Sequence, residues 1–313
     1  MTDRFGRTID YLRVSVTDLC NLRCLYCMPA QGVKKLRRGD ILSLEEIEEI
    51  VRAAVRCGIR KVRITGGEPL VRPGIVGLCR CLAGIPGLGE LCMTTNGTLL
   101  PRFAHELRTS GVTRLNVSLD TLDPEKYRRI TRLGNLDQAL DGLRAAQEAG
   151  FARLKLNCVL LGGVNDGEIA DFVALTKGRD IEVRFIELMP MGECAGWDEG
   201  RFLSNSAVLE AVPALESIGT SGVAKLYRVK GWRGTVGLIS PVTDHFCPAC
   251  NRLRLTADGK LKPCLHSVLE IPVRGLHGEA LEQAICTAVR EKPLRHHLDA
   301  GSDSARGMNA IGG

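Results

Sequence analysis

Six short runs rich in β-branched and apolar residues, separated by helical patterns, constrain the fold of this 313-residue chain most strongly. They are Tyr11–Val16, Lys61–Thr65, Leu91–Thr94, Arg114–Leu119, Leu154–Leu160 and Ile181–Ile186. Ser43 and Glu46 form a capping box ahead of the first helix, and Gly58 closes it. Pro101 suits the first turn of another helix, ended by Gly111; Asp123-Pro124 opens a third, and Asn135 and Gly150 bracket a fourth. Strands alternating with helices predict a parallel sheet with crossover connections. Six units are too few to close an eight-stranded barrel. The expected class is therefore α/β, a partial (βα)6 TIM-like barrel, with a doubly wound flat sheet as the alternative. From about residue 190 the rhythm breaks. Residues 192–200 read as loop, Val223–Ser240 as a hairpin with Gly231 and Gly234 near its turn, and Glu279–Arg290 as a helix. The tail, Gly301–Gly313, is glycine-rich, lacks apolar periodicity and is expected to be mobile. The expected division is 1–222 for the barrel and 223–313 for a C-terminal segment.

Within the strands, cations recur at a spacing of two. Lys61 and Arg63 point to one face while Val62 and Ile64 point to the other. Lys155 with Asn157, and Arg13 with Ser15, repeat the pattern; Arg184 lies in the sixth run, and Arg252 and Arg254 have the same spacing. The helix-facing side of a barrel must be apolar, so these cations face the lumen. Buried charges need partners, because each one left unpaired costs several kcal/mol. Asp and Glu within the protein can supply them; the recurrence of the pattern favours an anionic ligand. No phosphate loop of the G-x4-G-K-[ST] kind occurs, so a nucleotide would be held by side chains. Gly66-Gly67-Glu68-Pro69 follows the second strand, at the end where barrel ligands bind, and its glycines allow close backbone approach.

Two cysteine sets carry the chemistry. Cys20, Cys24 and Cys27 stand at C-x3-C-x2-C spacing; Cys247 and Cys250 are followed by Cys264. Three thiolates are one short of a closed tetrahedral site, and a three-cysteine iron–sulfur cluster leaves one iron open for a substrate or cofactor. The first set lacks a fourth zinc ligand at suitable spacing, which favours iron–sulfur. At the second, His245 or His266 could complete a Cys3His zinc site. Cys57, Cys79, Cys81, Cys92, Cys158, Cys194 and Cys286 lack ligand spacing and read as small buried apolar residues.

Composition excludes several classes. No apolar stretch approaches ~20 residues, which argues against a membrane span. Thirteen cysteines without a hydrophobic signal region point to reduced thiols and a cytoplasmic protein. A net charge of +6 admits nucleic acid, but 4% aromatics are too few for a base-stacking platform, and a polyanionic small molecule explains the excess equally well.

Cys20-x3-Cys24-x2-Cys27, with Tyr26 before the last cysteine, and Gly66-Gly67-Glu68-Pro69 resemble the radical S-adenosylmethionine (SAM) enzymes. Cys247-x2-Cys250-Asn-Arg252-Leu-Arg254 through Cys264, with the final Gly312-Gly313, narrows the resemblance to the GTP 3′,8-cyclase family of molybdenum cofactor biosynthesis. The resemblance implies a C-terminal segment covering the open side of the barrel and two [4Fe–4S] clusters. On the first (Cys20, Cys24, Cys27), an open iron chelates SAM; on the second (Cys247, Cys250, Cys264), it takes the guanine of GTP. It implies SAM contacts from Tyr26, Gly67, Thr94, Ser118 and Met189, and GTP contacts from Arg13, Arg63, Lys155, Arg184, Arg252 and Arg254. Arg13, Lys61, Arg63, Gly312 and Gly313 are implied to support the reaction. In it, a 5′-deoxyadenosyl radical abstracts the ribose 3′ hydrogen, the C3′ radical attacks guanine C8, and reduction gives (8S)-3′,8-cyclo-7,8-dihydroguanosine 5′-triphosphate. An external one-electron donor, a downstream cyclic pyranopterin monophosphate synthase and a homodimer are also implied; no nucleic acid or membrane partner is expected. Two other readings are open: a radical SAM peptide modifier with an auxiliary cluster, and a zinc-bearing nucleic-acid-binding module.

Overall fold

The computed structural model describes residues 1–33, 36–296 and 306–312. Strands β1 (Tyr11–Ser15), β2 (Lys61–Thr65), β3 (Glu90–Thr95), β4 (Arg114–Ser118), β5 (Leu154–Leu160) and β6 (Ile181–Glu187) lie side by side in chain order, all parallel. The helices between them are α1 (Leu44–Arg56), α2 (Ile75–Ala83), α3 (Leu100–Thr109), α4 (Pro124–Thr131), α5 (Leu136–Glu148) and α6 (Ile169–Ala174). The capping box opens α1: Ser43 Oγ accepts from the Glu46 amide at 3.1 Å, and Glu46 Oε2 accepts from the Ser43 amide at 2.7 Å. Asp123 and Asn135 cap α4 and α5 by side-chain acceptance alone, without the reciprocal bond. Alternate strand residues such as Leu12, Val14, Val62, Ile64, Leu115, Val117, Leu154 and Leu156 are buried in one apolar core against the helices. Arg13, Arg63 and Lys155 occupy the opposite face, as a spacing of two requires.

Beyond β6 come α7 (Ser206–Ala211) and strands β7 (Leu215–Ser221), β8 (Ala224–Val229), β9 (Thr235–Ile239), β10 (Arg252–Leu255), β11 (Lys260–Lys262) and β12 (Ile271–Pro272), then α8 (Gly278–Arg290) and α9 (Met308–Ile311). The hairpin at Val223–Ser240 is β8 and β9, but β7 joins it as a third strand. β7 escapes sequence reading because it is almost wholly exposed and has no apolar alternation. The residue 222/223 break lies in the β7–β8 turn, so one sheet runs through it. The C-terminal segment also does more than cover the open side. β10 pairs parallel with β1 and β9 pairs parallel with β6, extending both edges to eight parallel strands in a sheet that stays open. Among the described residues no helix is long and apolar enough to cross a membrane.

The tail differs from the mobile end that its composition suggested. Residues 306–312 pack inward, with Ile311 fully buried, and Arg306 forms a double ion pair with Asp258 and Glu270. Residues 301–305 and Gly313 of the tail lie outside the described residues.

Candidate active site

The strands place their polar faces around a cavity of about 440 Å³. Its wall brings together Cys20, Cys24, Cys27, Tyr26, Gly67, Thr94, Ser118 and Met189 with Arg13, Lys61, Arg63, Lys155, Arg184, Arg252, Arg254, Cys247, Cys250 and Cys264. Gly312 reaches the same cations: its carbonyl accepts from Arg254 Nη1 at 2.6 Å and Arg13 Nε at 3.2 Å. Parallel register explains the convergence. Tyr11 stands level with Lys61 and Arg252, and Arg13 with Arg63 and Arg254.

The first cysteine loop is docked by backbone. Gly67 N donates to Thr17 O and Glu68 N to Leu19 O, each at 2.8 Å. A Cβ at Gly67 would sit 2.3 Å from Leu19 O, and one at Gly66, whose φ is +155°, 2.6 Å from Thr17 O. The paired glycines therefore admit the close approach of the cysteine loop itself. Glu68 ties this turn to the next, accepting from Leu70 N, Thr95 Oγ1 and Asn96 N; burial pushes its carboxyl up to about 7 despite those bonds. On the other side Arg23 N and Leu25 N donate to the end of α4, and Arg132 Nη1 donates to the Arg23 and Met28 carbonyls. Tyr26 donates to Asp120 at 2.7 Å, which also accepts from Val159 N. Burial raises Asp120 to about 6.

Burial pushes the Cys24 thiol far up, and Asp120, Cys27 and Cys20 push it the same way; burial likewise raises Cys20. Ligation must therefore expel protons. At the second set, burial raises Cys247, while Cys250 is lowered: burial opposes, but Lys292, Arg252 and the hydrogen bonds from both outweigh it. Lys292 Nζ, on a side chain only 2% exposed, bridges Arg252 O at 2.8 Å and Pro263 O at 2.9 Å, clamping the two stretches that carry the cysteines. Arg7, ion-paired to Asp3 at 2.6 Å, donates to Cys247 O and Pro293 O. Sequence reading missed Lys292 and Arg7, since their links to the second cysteine set run to backbone carbonyls, most of them distant in sequence.

Among the described residues no three His, Cys, Asp or Glu side chains are disposed to hold a single metal ion. Both thiol sets open on the cavity, and three thiolates facing open space are a donor set that a [4Fe–4S] cluster with one free iron would fit. His245 is engaged with Pro241 O at 3.0 Å and His296 Nε2 at 3.2 Å.

The lumen cations fall into two groups. Lys61 pairs with Glu90, and Lys155 and Arg184 both pair with Glu182, so internal carboxylates answer three of them. Burial and neighbouring Arg184 bring Lys155 down to about 8. Arg63 donates instead to Tyr11 Oη at 2.5 Å and Met93 O at 3.1 Å, and Arg252 lies over the Tyr11 and Phe246 rings. Burial and Arg252 lower Arg254 to about 10; burial and Arg254 press Arg13 down. This mutual repulsion marks a site built for negative charge. Tyr11 answers to it: burial raises its phenol, but Arg63, Arg13 and Arg252 prevail and bring it to about 8. Four buried polar atoms on the cavity wall have no partner: Asn116 Oδ1, Asn157 Oδ1, Arg252 Nε and His266 Nδ1. An occupant would satisfy them by offering an acceptor to Arg252 Nε and N–H or O–H donors to the two asparagine oxygens, so it must carry donor groups as well as negative charge.

An open parallel barrel with a three-cysteine loop after its first strand defines a radical SAM protein, and the chain matches the Radical SAM superfamily over residues 14–176. Residues 181–298 match the Molybdenum Cofactor Synthesis C family. Among solved structures, Streptococcus suis SuiB bound to its precursor peptide SuiA has the same fold. Its TM-score is 0.63 at 16% identity, over 96% of this chain and 68% of that one. A second, anSMEcpe with bound AdoMet, gives 0.57 at 14% identity, over 94% and 81%. Among sequences, a GTP 3′,8-cyclase of Alkaliphilus oremlandii is 49% identical over the full length of both chains. Another, from Peptoclostridium acidaminophilum, is 51% identical over 100% of this chain and 98% of its own. The chain belongs to the GTP 3′,8-cyclase family of the radical SAM superfamily.

Proposed function

We propose that this chain converts GTP to (8S)-3′,8-cyclo-7,8-dihydroguanosine 5′-triphosphate, the first step of molybdenum cofactor biosynthesis. The observation that carries the reading is one cavity walled by two three-thiol sets with Arg13, Arg63, Arg252 and Arg254 between them. Cys20, Cys24 and Cys27 would hold a [4Fe–4S] cluster at which SAM binds, and Cys247, Cys250 and Cys264 a second one near the guanine. Bound there, the first cluster and SAM supply a 5′-deoxyadenosyl radical able to take the ribose 3′ hydrogen and so set up bonding to C8. The protein supplies placement, charge and exclusion of water.

Tyr26, Gly67, Thr94, Ser118 and Met189 are assigned to SAM, with Asp120 fixing the Tyr26 hydroxyl. Arg13, Arg63, Arg252 and Arg254 are assigned to GTP, together with Lys155 and Arg184, which Glu182 holds in place. Lys61 supports the same site from its pair with Glu90. Gly312, whose carbonyl meets Arg13 and Arg254, completes the cationic end of the cavity, and Gly313 is assigned to the reaction with it. The residue 222/223 division is then one of labour, SAM before it and the second cluster after it. The electron donor, the downstream cyclic pyranopterin monophosphate synthase and a homodimer belong to this reading through the family resemblance, and a cytoplasmic location through the thirteen cysteines of the chain.

Anaerobic incubation of reconstituted protein with GTP, SAM and a strong reductant tests the reading. Cyclised nucleotide and 5′-deoxyadenosine should appear together; SAM cleavage without cyclised nucleotide would count against it. Arg252→Ala is expected to weaken GTP binding by about 2–4 kcal/mol, since it removes a buried charge from a polyanion. Guanosine is expected to bind poorly to the wild type by calorimetry, and equal affinity for the two would refute the polyanion assignment.

The phenol of Tyr11 gives a pH dependence with a definite sign. Below about 8 it is neutral; above, it becomes a phenolate among Arg63, Arg13, Arg252 and Lys61 and competes with the substrate anion. GTP affinity should therefore fall from pH 7 to pH 9, by at most about ten-fold per unit, and fall less in Tyr11→Phe. Identical pH slopes for the two proteins would remove Tyr11 from the account.

A further inference from the structure

Cys79, Cys92, Cys158 and Cys194 are buried, as small apolar residues would be, but Cys57 is only half-buried, and Cys81 and Cys286 are exposed, against the sequence expectation. Cys57 and Cys286 do not stand alone. Cys57 follows the last turn of α1 and Cys286 lies on α8, two helices that pack together. The two side chains line one surface groove with Glu282, Gln283 and Arg290, close enough that each acts on the other electrostatically. Arg56, adjacent to Cys57, pairs with Glu282 at 2.6 Å and holds the same two helices in register. Nothing in the cavity chemistry uses this pair.

We propose that Cys57 and Cys286 form a dithiol site that exchanges with low-molecular-weight disulfides and closes as a disulfide between α1 and α8. The exposed Cys286 thiolate attacks one sulfur of the reagent RSSR, forming Cys286–S–S–R and releasing RS⁻. Cys57 then loses its proton to solvent and displaces the second RS⁻, forming the Cys57–Cys286 bond. Two protein thiols are oxidised, one reagent disulfide is reduced to two thiols, and no further oxidant is required. Burial, then Cys286 and Glu282, push the Cys57 thiol up to about 11, which makes it the slower partner and leaves the first attack to Cys286. The bond ties to the barrel wall the helix that leads into Lys292, the clamp of the second cysteine set.

The test uses the cluster-loaded protein under anaerobic conditions with oxidised glutathione, followed by alkylation, digestion and mass spectrometry. Wild type is expected to yield a cross-linked Cys57–Cys286 peptide that disappears on reduction. Cys57→Ser is expected to stop at a glutathione adduct on Cys286, and Cys286→Ser to leave Cys57 unmodified. A stable glutathione adduct on Cys286 in the wild type, or no modification of either cysteine, would overturn the proposal. The readout is independent of GTP turnover, so it stands or falls apart from the activity assigned above.

Discussion

Alanine at Cys24 is expected to abolish SAM cleavage and cyclisation together, whereas alanine at Cys250 leaves SAM cleavage measurable and removes cyclisation alone. Cys24 is half-buried within a loop docked by Gly67, Glu68 and Arg132, so the backbone cannot shift to bring in another ligand. Cys194 also lines the cavity, but its thiol donates to the Met189 and Met191 carbonyls. Cys250 sits at the other side under the Lys292 clamp, and its loss leaves the first loop untouched. Iron should fall from about eight to about four per chain in either variant, as two four-iron clusters require. Quantifying 5′-deoxyadenosine and cyclised nucleotide in one anaerobic reaction separates the outcomes. Product at the wild-type rate from the Cys250 variant would show that the second set is not a substrate site.

The other large effect is expected at Gly312. Its φ of +72° lies in the left-handed region, and a Cβ there would stand 2.3 Å from Thr65 Oγ1 and 3.3 Å from Ser15 Cβ. Gly312→Ala must therefore withdraw the tail from the lumen or distort it, and the Gly312 carbonyl then leaves Arg13 and Arg254. Two guanidiniums that lose a fixed partner no longer hold one position, and misplacement of about 1 Å can lower a rate by about 10²-fold. Deletion of Gly312 and Gly313 should have at least the same effect on product while leaving iron content and SAM binding unchanged. A peptide carrying Asn309-Ala-Ile-Gly-Gly313 should restore part of the activity when added to the truncated protein. Full activity of that protein without the peptide would reduce the tail to packing.

Much of this was legible in the chain. Apolar residues at alternate positions with cations between them could satisfy both faces of a strand in only one way, so Arg13, Lys61, Arg63, Lys155 and Arg184 were assignable to the lumen before any coordinates. Local signals are read over a few residues, which is why Ser43 with Glu46, Asp123 with Pro124, and the cysteine spacings survived intact in the structure. Non-local partnerships were not legible. Glu182 and Arg184 are two apart on one strand, but that Glu182 also answers Lys155 and Glu90 answers Lys61 depends on strand register. So does the union of β9 and β10 with opposite edges of one sheet, for their sequence separation encodes neither neighbour. Composition misread the tail because glycine signals freedom only where nothing packs, and here the arginine-lined lumen receives it. The sequence alone determined the secondary-structure rhythm, the thiol sets and the sign of the lumen charge, all properties of residues within one turn or strand. Only the tertiary structure decided which carboxylates neutralise which cations, which guanidiniums stay directed at the cavity, and that Lys292 and Gly312 belong to it. Those outcomes depend on distances between segments far apart in the chain, which folding sets and local spacing does not encode.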